Sequence, residues 1–340
     1  MIVLFRYTSP MNVEFHYYII HFLANHAGLP ESEAHTIAYA SQFVDNNILT
    51  YIVDTGTGMY EIQPTQNYGF WNDSFPKEVY APFHFFPGDI DYYGAKRKDG
   101  KKNPYNCTPD SPQVKELLIR ALKTRDLYRI GIALHTYADS WAHQNFSAFL
   151  EDWNMIDERI PIPAIGHAQA FTEPDGIGRV WEDPRLVHEH RTVLNLSRFC
   201  AAATKIYKYL CTYNHRSFDD VDHVIGILKR IIGNGKKEQK ERVLDFMIEE
   251  NIAGYDRKEW LNDALDISEG FRSEAPGPGE KAYEGYDKLL WLKDAFLYQS
   301  SLVQKEPVHA RPGFFERPLF RFCEASREHR KAAQEILKNL

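Results

Sequence analysis

The stretch Gly131-Ile-Ala-Leu-His135-Thr-Tyr-Ala-Asp139-Ser-Trp-Ala-His143-Gln-Asn-Phe146 is the most informative part of the sequence. Its apolar residues and the absence of proline favour a buried helix. Three residues that can bind metals, His135, Asp139 and His143, recur at every fourth position and therefore share one face of that helix. A lone histidine on a helix is usually a structural residue. Three ligand-type residues in an apolar segment favour metal binding instead, because buried ionisable groups are costly unless they are paired or metal-bound.

The spacing along this helix limits how many of these residues one ion can contact. With a rise of about 1.5 Å per residue, His135 and His143 lie about 12 Å apart along the axis. A metal lies only about 2 Å from each donor atom. One ion could contact His135 and Asp139, or Asp139 and His143, but hardly all three. The spacing therefore predicts two metals with the Asp139 carboxylate between them.

The composition limits the class of protein. The chain has 340 residues, of which 44% are hydrophobic, and this suffices for one large domain or two ordinary ones. No transmembrane helix is expected, because the sequence contains no apolar run of about 18 residues. The net charge of −7 does not favour non-specific binding of duplex nucleic acid, which is itself negatively charged.

The cysteines and the first residues bear on the cellular compartment. The cysteines are widely scattered and form no CxxC pair, which favours free thiols in a reducing compartment. Residues 1–10 show no recognisable signal peptide, so we expect a cytoplasmic location. The cysteines are Cys107, Cys200, Cys211 and Cys323.

The periodicity of apolar residues predicts an all-α fold, a multi-helix bundle with long loops and one short β-hairpin at 51–62. Residues 1–10 would form an N-terminal arm, residues 11–215 a metal-binding helical core, and residues 216–340 a helical extension packed on that core. Long irregular connections are expected at 64–112 and 152–184. The predicted helices are Met11–Ala27, Glu31–Val44, Ser111–Lys123, Asp126–Phe149, Val187–Thr212, Asp219–Ile232, Glu238–Asn251, Lys258–Ile267, Lys281–Leu302 and Pro318–Leu340.

Further candidate ligands lie outside the central helix. Asp45 is either an ordinary residue of a last helical turn or a carboxylate directed into a site. His84 stands among aromatic residues and, taken alone, indicates packing rather than metal binding. His167 follows a glycine and precedes two carboxylates, Glu173 and Asp175, which is a weak signal for ligands on a loop.

The central motif resembles the zinc-dependent phospholipase C and S1/P1 nuclease superfamily of helical hydrolases. The resemblance rests on Gly131-x-x-Leu-His135-x-x-x-Asp139, on the later His143 and on the Asn145-Phe146 pair. Further segments make the chain look more closely like an uncharacterised bacterial family at the edge of that superfamily, and the resemblance covers roughly residues 11 to 215. These segments are His16-Tyr-Tyr, Ser41-Gln-Phe-Val-Asp45 and Gly166-His167.

The resemblance implies a site for up to three zinc ions. Its implied ligands fall into three groups: Asp45, His84, His135 and Asp139 for the first ion; His143, His167 and a carboxylate near Asp175 for the second; and His16 with Asp139 for the third. The sequence departs from the superfamily in three ways. Asp139 and His143 are four residues apart rather than six, Phe171 stands four residues after His167 where a carboxylate is expected, and no N-terminal tryptophan ligand is evident. Two or three ions are therefore expected, with Glu173 and Asp175 as rival ligands.

The resulting functional expectation is a metal-dependent hydrolase of phosphoester bonds, especially phosphodiesters. Zinc is the expected metal, although other divalent transition metals suit the same ligands. A metal-bound water would act as the nucleophile, and Asp45 would serve as ligand or base. The alternative from another class is a helical binding or interaction module with a structural metal site. The sequence has no GxSxG or HExxH motif, and it leaves the substrate and the oligomeric state open.

Overall fold

A computed structural model describes residues 13–48, 50–67, 74–92, 96–233, 236–267 and 307–338. This part of the chain is mostly helical. Two π-helices, Glu14–Ile19 and Pro76–His84, accompany the α-helices. The α-helices are α1 (Ile20–His26), α2 (Glu31–Asn46), α3 (Pro112–Thr124), α4 (Leu127–Ala142), α5 (His188–Arg191), α6 (Asn195–Tyr213), α7 (Val221–Ile232), α8 (Gln239–Glu249), α9 (Glu259–Ala264) and α10 (Pro318–Leu337).

Local sequence signals fix the start of the central helix α4. Asp126 is its N-cap, and its carboxylate accepts hydrogen bonds from the backbone N–H groups of Tyr128 and Arg129, at 2.9 and 3.2 Å. These bonds satisfy donors that a helix start otherwise leaves without partners. Arg125, with a φ of 57°, ends α3 directly before this cap, so α3 and α4 form a tight helical hairpin.

Two small sheets accompany the helices. The larger sheet has the strand order β2-β1-β6-β5; β1 pairs antiparallel with β2 and parallel with β6, and β5 pairs antiparallel with β6. β3 and β4 form a separate antiparallel pair. The strands are β1 (Tyr51–Asp54), β2 (Met59–Ile62), β3 (Val180–Glu182), β4 (Thr192–Leu194), β5 (Leu265–Asp266) and β6 (Val308–Ala310).

The mostly helical expectation is confirmed, and the predicted hairpin is present as β1 and β2. The all-α prediction is nevertheless incomplete, because this hairpin belongs to a four-stranded mixed sheet. β5 and β6 have only two and three residues. Such short strands carry too little alternation to stand out in a sequence.

Several predicted boundaries are wrong for identifiable reasons. The connection 64–112 contains the π-helix Pro76–His84. This helix was not predicted, because Pro82 lies inside it and proline usually breaks a helix. The predicted helix Val187–Thr212 is interrupted by strand β4, which contains the β-branched residues Thr192 and Val193. The predicted helix Asp126–Phe149 ends at Ala142. The predicted helix Lys281–Leu302 and the arm at residues 1–10 lie outside the described residues.

Helices α2 and α4 form the centre of the described fold. A Cβ atom added to Gly131 of α4 would lie 2.3 Å from the carbonyl oxygen of Ile37 in α2, so only glycine permits this close approach. The hydrophobic cluster around this pair extends from Phe15 to Ile336 and includes residues of α10. In the described part of the chain, no helix combines the length and the apolar character required to cross a bilayer.

Candidate metal centre

Histidine and aspartate side chains converge where α2, α4 and the two π-helices meet. His135 and Asp139 lie on α4, and Asp45 lies in the last turn of α2. His16 lies within the first π-helix, and His84 is the last residue of the second. Wide helical turns of this kind occur frequently at functional sites, since they alter the direction of side chains relative to an α-helix.

The first donor group consists of Asp45, His84, His135 and Asp139. His84 Nδ1 lies 3.1 Å from His135 Nε2 and 3.1 Å from Asp139 Oδ2, and the latter two atoms are also 3.1 Å apart. Asp45 Oδ1 lies 3.8 Å from His84 Nδ1 and 3.7 Å from His135 Nε2. In a tetrahedral zinc site with ligand distances of about 2.0–2.2 Å, ligand atoms lie about 3.3–3.6 Å apart. These five distances, from 3.1 to 3.8 Å, lie within about 0.2 Å of that range, so the donors are close to the arrangement that one tetrahedral ion requires.

A backbone carbonyl fixes the tautomer of His84. Its Nε2–H donates a hydrogen bond to the carbonyl oxygen of Thr65 at 2.9 Å. The lone pair of the neutral ring is therefore on Nδ1, which is the atom that faces Asp139 and His135. This arrangement is typical of metal-binding histidines, whose second nitrogen is usually held by a carbonyl or a carboxylate.

Asp139 extends the first group toward His16. Its Oδ2 faces His84 and His135, while its Oδ1 lies 3.1 Å from His16 Nε2. The rings of His16 and His135 pack together with centroids 4.0 Å apart. The donor atoms of His16, His135 and Asp139 also satisfy the spacing for a shared ion. Asp139 is thus placed to bridge the first donor group and a third one that contains His16.

The second donor group consists of His143, His167 and Asp175. His143 Nε2 lies 3.1 Å from Asp175 Oδ1, and His167 Nε2 lies 3.5 Å from Asp175 Oδ2. His143 Nδ1–H donates to the carbonyl of His84, and His167 Nδ1–H donates to the carbonyl of Phe171, both at 2.8 Å. Both rings therefore direct Nε2 toward Asp175, and in the neutral ring this nitrogen carries the lone pair that a metal would use.

The end of α4 changes the geometry expected for His143. Because the helix stops at Ala142, His143 is its C-cap rather than a residue in the helical register. Its Nδ1 lies 3.6 Å from Asp139 Oδ2, but this nitrogen already donates to the carbonyl of His84. The geometry accordingly favours Asp139 as a bridge toward His16 rather than toward His143.

The loop after His167 accounts for the unexpected Phe171. Its φ of 55° and ψ of −126° lie outside the usual regions for a bulky residue, and its carbonyl holds the ring of His167. Asp175 supplies the carboxylate of this group. The rival candidate Glu173 contributes a backbone carbonyl to Asn195 instead, at 2.6 Å.

Burial and charge shift several pKa values in this cluster. Burial lowers the pKa of His135 to about 3, and His16 adds to this effect. Burial opposes the charged form of His143, but Asp139 and Asp175 outweigh it and raise the pKa of His143 to about 9. Burial raises the pKa of Asp45 to about 6, against the influence of His16 and His84. The proton on His143 thus balances the charge of the neighbouring carboxylates, and a bound cation would displace this proton.

The two donor groups differ in exposure. The first group is buried, with 0% of the His135 side chain and 2% of the His84 side chain exposed. In the second group, 19% of the His167 side chain and 11% of the Asp175 side chain are exposed. Asp175 Oδ2 is nevertheless a buried atom without a hydrogen-bond partner among the described residues. A cation would satisfy this carboxylate oxygen.

Except for Glu173, every candidate ligand from the sequence lies in one of these donor groups. The protein groups that orient these ligands were not predicted from the sequence. The backbone carbonyls of Thr65, His84 and Phe171 leave no signal in a sequence. Asn195 and Arg198 of α6 donate to backbone carbonyls beside Asp175 and His143, but in the sequence they stand in an ordinary amphipathic helix pattern. The candidate ligands are His16, Asp45, His84, His135, Asp139, His143, His167 and Asp175.

The fold and the site define a mostly helical protein with clustered candidate metal ligands. The chain belongs to DUF6765, a family of unknown function, whose model matches residues 11–337. No curated protein and no solved structure matches the chain. The resemblance to the phospholipase C and P1 nuclease superfamily therefore rests on the central motif and the candidate ligands alone.

Proposed function

We propose that this protein is a zinc-dependent hydrolase of phosphoester bonds. Support for zinc comes chiefly from the first donor group, in which four side chains from three separate elements lie at close to tetrahedral spacing. Support for hydrolysis comes from the second group, whose three protein donors would leave one position open for water. The bridging geometry of Asp139 and the nearby second group suit a site with more than one ion. Bound zinc would lower the pKa of a coordinated water toward about 7 and polarise a phosphoryl oxygen.

The residues of the chain would divide the remaining tasks. Asp45 directs Oδ1 toward the donors of the first group, while Gln42 Nε2 approaches its Oδ2 at 3.5 Å, which favours a ligand role over that of a free base. The partial exposure of His167 and Asp175 makes the second donor group the side from which a substrate would enter. The burial of the first group would exclude bulk water from the reacting centre and strengthen its electrostatic interactions.

The test combines metal analysis with turnover. Protein purified without chelator and then loaded with zinc is assayed with bis(4-nitrophenyl) phosphate and with phosphomonoesters. We expect phosphodiester turnover that chelation abolishes and that zinc restores. The variant His167→Ala should lose this turnover, whereas His223→Ala, an exposed histidine on α7, should retain it. Full zinc loading without turnover of any phosphoester would refute the hydrolase.

A structural metal site in a binding module is the second candidate. Four buried protein ligands are typical of structural zinc, which lacks an open position for water. The near-complete burial of His84 and His135 favours this candidate for the first donor group. It predicts that zinc raises the melting temperature while no phosphoester is hydrolysed, so the same experiment separates the two candidates.

A further inference from the structure

The second donor group depends on two parts of the chain that α6 holds together. One part is the end of α4, which determines the position of His143. The other is the loop around Asp175. Two side chains one turn apart on α6 hold these parts: Arg198 contacts the end of α4, and Asn195 contacts the loop around Asp175. Neither is a candidate ligand.

Arg198 caps the C-terminus of α4. Its Nε donates to the carbonyl of Trp141 at 2.8 Å, and one of its terminal nitrogens donates to the carbonyls of Trp141 and Ala142. Gln144 also donates to the carbonyl of Trp141, at 3.1 Å. The last carbonyls of a helix lack partners within the helix and carry partial negative charge, so a guanidinium is well suited to hold them. This cap fixes the point from which His143 leaves the helix.

Asn195 holds the loop on both sides of Asp175. Its amide nitrogen lies 2.6 Å from the carbonyl of Glu173, 3.1 Å from that of Pro174 and 2.8 Å from that of Gly176. Its own side-chain oxygen accepts hydrogen bonds from Trp181 Nε1 at 3.2 Å and from Arg198 at 3.3 Å. Asn195 is buried. The two side chains therefore form one connected unit between the α4 terminus and the Asp175 loop.

We propose that Asn195 and Arg198 are positioning residues that set the distance between His143 and Asp175 for one metal ion. This inference rests on the function proposed above. His143 Nε2 and Asp175 Oδ1 are 3.1 Å apart. A productive metal site tolerates displacements of its ligand atoms of only about 0.5 Å. Loss of such supporting hydrogen bonds typically weakens metal affinity by about 10- to 100-fold.

The test is zinc titration in competition with a chelator, on the full chain. Asn195→Asp keeps the shape of the side chain but removes its amide donors, and Arg198→Lys keeps the charge but removes the forked guanidinium. Each variant should bind one ion about 10- to 100-fold more weakly and retain the other ions unchanged. Should Asn195→Asp fail to fold, Arg198→Lys tests the same unit with a smaller change.

The C-terminus of α1 offers a matched control. Asn214 donates to the carbonyl of Ala27 at 3.0 Å, and Arg216 donates to that of His26 at 2.7 Å, so the same residue types cap a helix that itself carries no candidate ligand. Asn214→Asp and Arg216→Lys should leave all zinc affinities unchanged.

A double-mutant cycle identifies the affected ion. His167→Ala removes a ligand of the second group, so Asn195→Asp should have no further effect on zinc binding in that background. Weakening of every ion alike, an additional loss in the His167→Ala background, or unaltered affinity in the variants would overturn the positioning role while leaving the proposed function intact. Wild-type protein that binds no zinc at all would refute both.

Discussion

Gly131 allows a direct test of how closely α2 and α4 must pack to assemble the first donor group. In Gly131→Ala, the new Cβ atom would lie 2.3 Å from the carbonyl oxygen of Ile37 and 2.7 Å from the Cβ atom of Ala40. An ordinary contact between carbon and oxygen needs roughly 3.4 Å, so the two helices must separate by about 1 Å. Helix α2 carries Asp45, and helix α4 carries His135 and Asp139, so this separation would move the ligands apart.

The size of the effect follows from two opposing contributions. Overpacking of a well-packed core typically costs about 1–3 kcal/mol. Replacing glycine by alanine within a helix stabilises it by roughly 1 kcal/mol. Gly226 in α7 supplies the control, because a Cβ atom added there meets no atom within 4 Å. We therefore expect Gly226→Ala to be stabilised and Gly131→Ala to be less stable than Gly226→Ala by about 1–3 kcal/mol.

Urea unfolding of the chelated proteins measures this difference, and zinc competition measures its effect on the site. A shift of about 1 Å exceeds the tolerance of roughly 0.5 Å for ligand positions, so Gly131→Ala should also bind zinc more weakly. Gly226→Ala should keep the wild-type affinity. If the two variants were equally stable, the close approach at Gly131 would not constrain the helices and the reasoning would be wrong.

Three further outcomes are expected. Asp139→Asn should lose ions at more than one position and lose activity, whereas His143→Ala should empty mainly one; equal single-ion losses by metal analysis would restrict Asp139 to one metal. Burial lowers the pKa of His329 to about 3, so the unfolded chain binds this proton more readily and stability falls as the pH drops from about 6.5 toward 3. Chelated His329→Gln should show a shallower decline in urea titrations, and an unchanged slope would contradict this role. At Phe171, with its φ of 55°, the glycine variant should be more stable than the alanine variant by about 1 kcal/mol, and the reverse order in thermal unfolding would argue against strain there.

The sequence predicted the central helix and its ligand face because α4 is long and apolar and has a clear N-cap. It predicted the convergence of His16, Asp45 and His84 through the resemblance alone, since these residues come from separate elements. Taken by itself, His84 suggested packing. Its role as a candidate ligand depends on a π-helix that ends at this residue and on the carbonyl of Thr65, and neither is visible in a local pattern.

The end of α4 shows a second limit of sequence reasoning. Residues 143–146 contain no strong helix breaker, so the apolar pattern continued the helix to Phe149. In the structure, Asn145 adopts a φ of 72°, and the backbone of Asn145 and Phe146 pairs with Cys107. This tertiary contact and the Arg198 cap together end the helix, and His143 faces Asp175 rather than following the helical face. Propensity cannot predict such an ending, because the competing partner lies far away in sequence.

The C-terminal third of the chain supports the ligand-bearing elements through buried polar contacts. Arg242 of α8 forms a bidentate ion pair with Glu14, two residues before His16, with distances of 2.5 and 2.8 Å. His329 of α10 donates to the carbonyl of Pro82, two residues before His84, at 3.1 Å. Removing one partner of a buried ion pair typically costs about 3–5 kcal/mol, because the remaining charge is left uncompensated. The segment 11–215 contains every candidate ligand, but two of the helices that present them are held by residues beyond 215, so the site and the C-terminal helices are expected to fold as one unit.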